Sequence, residues 1–110
     1  MPDEFAQRSE EIARQRSEAV SDYRRHGLDE ADAQFAYAKT RSVRFAQYRA
    51  EGMAQEESKI HAESDVADFK RDAMVAEANR RAAKERIDTL EANRAMLREQ
   101  SERSRRTGGE

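Results

Sequence analysis

The chain has no cysteine and no tryptophan, and only one proline and four glycines in 110 residues. Without cysteine there is no disulfide framework, no thiol nucleophile and no thiolate zinc site. The single proline stands at position 2. There its missing N–H costs a helix nothing, and no other proline is present to break one. No apolar run approaches the ~18 residues of a membrane span, and none follows Met1 as a secretory signal would. A charge excess of one sign is also lacking, because the net charge is only −2. No global field therefore steers the chain to nucleic acid. These absences predict a soluble, cytoplasmic protein. Hydrophobic residues make up 36% and charged residues 40%, which leaves little material for a thick core.

Signatures of catalysis are missing too. No GxxxxGK[ST] phosphate loop and no GxGxxG turn occurs. No Glu-x-x-His pair is present to build a carboxylate-bridged metal bundle. The serines lie in charged helical surroundings that mark none of them as a nucleophile. Of the two histidines, His26 is expected at a helix C-terminus, where the dipole favours a partly positive ring. His61 has Glu57 four residues before it and Asp65 four after it. With help from another chain that spacing could hold a divalent metal, but it reads first as a solvated, salt-bridged helix face. The expectation is a non-enzyme with no catalytic residue, cofactor or resident metal.

What is abundant is helix-forming material. The chain holds nineteen alanines and seventeen arginines, with many glutamates, and all three are strong helix formers. From Ala62 the apolar residues step by four and three along one stripe: Val66, Phe69, Ala73, Ala76, Ala83, Ile87, Leu90 and Leu97, with Arg80 and Arg94 in the same register. That is a heptad seam, and it predicts coiled-coil packing. The fold expected is all-α: one helical domain over residues 1–106, with two shorter helices at about 2–26 and 29–51, then one long helix at about 55–105. Residues 107–110 are expected to be a disordered tail. In the second helix the buried stripe is expected to be Ala31, Phe35, Ala38, Ser42 and Phe45.

The two joints share a motif. Tyr23-Arg24-Arg25-His26-Gly27-Leu28 matches Tyr48-Arg49-Ala50-Glu51-Gly52-Met53. Glycine at C′ followed by an apolar C″ is the Schellman stop, which would put Leu28 against Tyr23 and Met53 against Tyr48. Asp29 is a good N-cap for a helix that restarts after Gly27. No such cap follows Gly52, so the second joint is expected to be the weaker break.

Two helices of this length, folded back, would cover only the first half of the long one. Ile87, Leu90 and Leu97 would then lie bare, and a second copy is the simplest cover. The expected homodimer interface is Ala83, Ile87, Leu90, Arg94 and Leu97. A basic run at Arg103, Arg105 and Arg106 offers a possible phosphate contact. Arg14, Arg16, Arg24, Arg25, Arg41, Arg44 and Arg49 are further cations, although acidic residues are interspersed among them.

Three clusters carry a family likeness. They are Tyr23-Arg24 with Gly27 and Asp29-x-x-Asp32-Ala33; Arg49-x-Glu51-Gly52-Met53 with Glu56-Glu57; and Ala76-Glu77-Ala78 with Ala82-Ala83-Lys84-Glu85-Arg86-Ile87 and Leu90-Glu91. In these the chain resembles small uncharacterised helical proteins encoded by tailed bacteriophages of Gram-positive, especially actinobacterial, hosts. The resemblance implies a phage origin and an accessory role, and it transfers no functional residue. The function expected is that of a helical interaction or adaptor protein. It would self-associate through its C-terminal segment and act on an unidentified phage or host protein. The alternatives are an accessory nucleic-acid binder of phage DNA metabolism and a head-assembly scaffolding protein.

Overall fold

The computed structural model describes residues 3–108. The expectations for Pro2 and for Gly109 and Glu110 lie outside the described residues. The fold is all-α, with three helices in the order α1 (Glu4–Ala50), α2 (Gln55–Asp65) and α3 (Ala67–Gly108). No strand occurs among the described residues.

Asp3 caps α1: its Oδ1 accepts the Phe5 N–H at 3.0 Å, and Glu4 follows in the first turn. Carboxylates there satisfy open backbone donors and complement the positive end of the dipole. The helix then runs for 47 residues without a stop. The break expected at Gly27 does not exist. Gly27 is helical, Asp29 is an interior residue rather than a cap, His26 lies mid-helix, and Leu28 is 70% exposed.

The reason lies in register. Ile12, Ala19, His26, Ala33 and Thr40 repeat every seven residues, and all are buried or half-buried. Gly27 sits inside this repeat without shifting it. One interior glycine costs about 1 kcal/mol relative to alanine, which is less than an in-phase seam contributes on both sides of it.

The second joint is the true reversal. Gly52 has φ +92°, a conformation that favours glycine. The Gly52 N–H donates to the Arg49 carbonyl at 3.0 Å, and the Met53 N–H donates to the Tyr48 carbonyl at 3.1 Å. That pair of bonds is the Schellman pattern, formed here as expected. No side-chain cap is needed on the far side: Ala54 precedes α2 without one. Instead Ser58 Oγ reaches back to the Met53 carbonyl at 3.4 Å.

The long third helix is interrupted once. Val66 separates α2 from α3 with φ −106° and ψ 16°, and its side chain is fully buried. The hydrogen bonds nevertheless carry through, from the Val66 N–H to the Ala62 carbonyl and from the Lys70 N–H to the Val66 carbonyl. At the far end, α3 includes Thr107 and Gly108, which were expected in the tail.

The chain forms two compact units. One comprises residues 1–24 with 81–110, the other residues 25–80. In the first, two helical stretches run antiparallel. Arg16 meets Glu91 at 2.9 Å, and Asp22 meets Arg86 at 3.6 Å. Between them Ala19, Ile87 and Leu90 form a buried cluster, against which Val20 and Tyr23 pack. In the second, the Gly52 turn folds α2 and the start of α3 back on the α1 stretch that precedes it. Ser58, Ala62 and Val66 are its most buried residues.

Candidate interaction surface

The seam that carries the heptad stripe is closed by the chain itself. Ala83, Ile87, Leu90 and Leu97 are 8%, 7%, 7% and 8% exposed with no second molecule present. The expectation that these residues lie bare is therefore corrected. It followed from the missing break at Gly27. Because α1 is one helix, its N-terminal stretch lies along residues 81–105 and covers them. Arg94 is exposed and borders a shallow groove with Phe5 and Leu97.

Within the unit of residues 25–80 the seam is largely polar. Glu30 pairs with Arg80, with side chains 13% and 31% exposed. Arg80 thus enters the heptad position with a counter-charge waiting for it, rather than as a bare cation. Farther along, Glu63 accepts the Tyr37 hydroxyl at 2.8 Å and Arg41 Nη1 at 2.9 Å. The Arg41 guanidinium, then the Tyr37 hydroxyl, hold the Glu63 carboxyl below its ordinary range. Near the turn the Tyr48 hydroxyl donates to Asp65, which keeps the phenol protonated to higher pH, and the Tyr48 ring lies 5.4 Å from that of His61.

Those contacts account for the His61 region. Asp65 is engaged by Tyr48, and His61 lies beside an aromatic ring. Among the described residues no group of three histidines or carboxylates could hold a metal ion.

A polar seam inverts the outside of α1. The stripe expected to be buried is mostly exposed: Ala31, Ala38 and Ser42 face solvent and only Phe45 is half-buried. Leu28 is 70%, Phe35 68% and Val43 47% exposed. Leu28 and Phe35 each precede a seam residue, Glu30 and Tyr37, by two positions. Two positions rotate a side chain about 200° around a helix, so both project away from the seam. Lys39 lies over the Phe35 ring at 5.9 Å. A shallow groove of about 510 Å³ runs along this face past Phe35, Ala36, Lys39, Val43 and Arg44.

The cations proposed for phosphate contact are mostly committed within the chain. Arg14 pairs with Glu11 and Glu18, Arg16 with Glu91, Arg41 with Glu63 and Arg103 with Glu99. Arg49 donates to the Met53 carbonyl at 2.9 Å. Arg105 and Arg106 are exposed in the last turns of α3, where cations complement the negative end of the helix dipole.

Sequence reasoning missed the exposed stripe. The signal was available: Phe35 cannot share a face with Tyr37, and the sevenfold repeat from Ile12 through Ala33 selects the face of Tyr37. Comparison with protein-family models, with curated proteins and with solved structures finds no match for this chain. No helix among the described residues is long and apolar enough to cross a membrane.

Proposed function

We propose that this protein is a non-enzymatic helical interaction protein that binds protein partners through the outer face of α1. One observation carries the reading. The chain covers its own apolar seam but leaves Leu28, Phe35 and Val43 at 47–70% exposure on one helix face. Scattered exposed apolar residues are ordinary. An aligned set beside a shallow groove is the geometry by which a second helix is received. The phage setting implied by the resemblance, and the host cytoplasm with it, belong to the same proposal. The arginine ion pairs favour protein over nucleic acid as the partner, since cations held by carboxylates are less available to phosphates.

The test is retention on immobilised protein, wild type beside Phe35→Glu, from the cells that express it. Phe35 is exposed, so the substitution leaves the fold intact, and circular dichroism verifies this. Proteins held by the wild type and lost with Phe35→Glu, further copies of the chain included, support the reading. Identical retention by the two overturns it.

A further inference from the structure

We infer that the occupant of this face is a second copy of the chain, docked antiparallel about a two-fold axis that passes between Phe35 and Ala36. The inference deepens the proposed function and rests on it. It comes from the order of residues along the stripe. Leu28, Asp32, Phe35, Lys39 and Val43 lie on one side of α1, and the first and last are apolar while the second and fourth carry opposite charges. When two identical helices pack antiparallel, residues equidistant from a common midpoint face each other. Leu28 and Val43 share a midpoint with Asp32 and Lys39, and that midpoint falls at Phe35–Ala36. The two-fold therefore sets Leu28 against Val43 of the other copy and Asp32 against Lys39 of the other copy. The Phe35 rings meet near the axis. Each contact occurs twice, as an isologous interface requires.

The charges support this arrangement independently of the apolar residues. Asp32 and Lys39 are both exposed, and neither has an ion-pair partner in its own chain among the described residues. Lys39 reaches only the Phe35 ring. Several other carboxylates are matched with cations within the chain, as at Glu30, Glu63, Asp88 and Glu91. This stripe has no ion pair within its own chain among the described residues and becomes complementary when copied and inverted. A parallel arrangement would place Asp32 beside Asp32 and Lys39 beside Lys39, which like-charge repulsion disfavours. The stripe spans roughly 23 Å at ~1.5 Å per residue. A contact so short makes a reversible dimer rather than an obligate one.

The experiment is sedimentation equilibrium of the full chain from micromolar to millimolar concentration, with four variants checked for helicity. The wild type is expected to shift from monomer to dimer as concentration rises, and Phe35→Glu to remain monomeric. Asp32→Lys and Lys39→Asp each replace two attractions with two repulsions, and each should weaken the dimer about tenfold. The double variant D32K/K39D should restore the association that each single variant loses, whereas a parallel in-register pair predicts no loss to restore. A dimer indifferent to the charge swaps overturns the inference, and so does a wild type monomeric throughout. In the second case, partner retention that still depends on Phe35 would leave the interaction reading standing with a different occupant.

Discussion

The two units close the same kind of seam with different chemistry. In residues 1–24 with 81–110 the contact is made by hydrocarbon: Ala19, Ile87, Leu90 and Leu97, with ion pairs such as Arg16–Glu91 along the flank. In residues 25–80 it is made by small side chains and charge: Ala62, Ser58 and Val66 at the centre, with Glu30–Arg80 and Tyr37–Glu63–Arg41 across the helices. The difference shows where large apolar side chains are spent. The first unit buries Ile87, Leu90 and Leu97. The second seals its seam with polar pairs and presents Phe35 and Leu28 outward. Burying a leucine or isoleucine contributes about 1.5–3 kcal/mol, whereas an exposed ion pair contributes about 0–1. The first unit should therefore hold the fold and the second should carry the contact surface.

That contrast can be broken first where it is strongest. Leu90→Ala, in the hydrocarbon seam, should cost about 2–5 kcal/mol by urea denaturation. Phe35→Ala, in the other unit and exposed, should stay within about 0.5 kcal/mol. Equal costs would erase the distinction between the units.

Next in size is the turn. Gly52→Ala forces a side chain into φ +92° and should destabilise by about 1–2 kcal/mol. A thermal melt measures it, and no change would mean that the Schellman geometry is dispensable.

The polar seam is probed by Glu63→Gln, with an expected loss of about 1 kcal/mol at neutral pH, kept small by the exposure of the group. Its pH dependence has a defined sign. The Glu63 carboxyl titrates below the 4.5 of an unperturbed glutamate. Its contribution is therefore present above the unfolded value and disappears as the pH falls through the lower folded value. The difference in stability between wild type and Glu63→Gln should shrink on acidification below about 4.5, and a gap that stays constant from neutral to acidic pH would contradict the assignment. The smallest effect has the opposite sign. Gly27→Ala places its Cβ 4.0 Å from Arg80 Cδ, an ordinary contact, and should stabilise the helix by about 0.5–1 kcal/mol. A loss there would restore the break.

The fold class was legible because the stripe from Ala62 to Leu97 is long and strictly spaced, and its inward face follows that stripe at Val66, Ala76, Ala83, Ile87, Leu90 and Leu97. The Gly52 turn was legible for the same reason that Gly27 was misread. The two local motifs are alike, and a Schellman signature states that a helix can stop, not that it must. The decision is made by register at longer range, where His26, Ala33 and Thr40 continue the repeat of Ile12 and Ala19. The outer stripe was hidden by an assumption that the bulkiest apolar residues mark the buried face. Around residues 25–50 that assumption fails, because Glu30 and Tyr37 face inward to meet Arg80 and Glu63.

Whether one molecule closes its own distal seam decides all of this. The chain has no cysteine, so the pair Ala19→Cys with Leu90→Cys can report the contact against no background. Ala19 and Leu90 share one buried cluster. Mild oxidation of the double variant, followed by denaturing electrophoresis, should give a bridged species of monomer mass at every protein concentration. Bridged species of dimer mass, increasing with concentration, would contradict the account and return the interface to Ile87, Leu90 and Leu97.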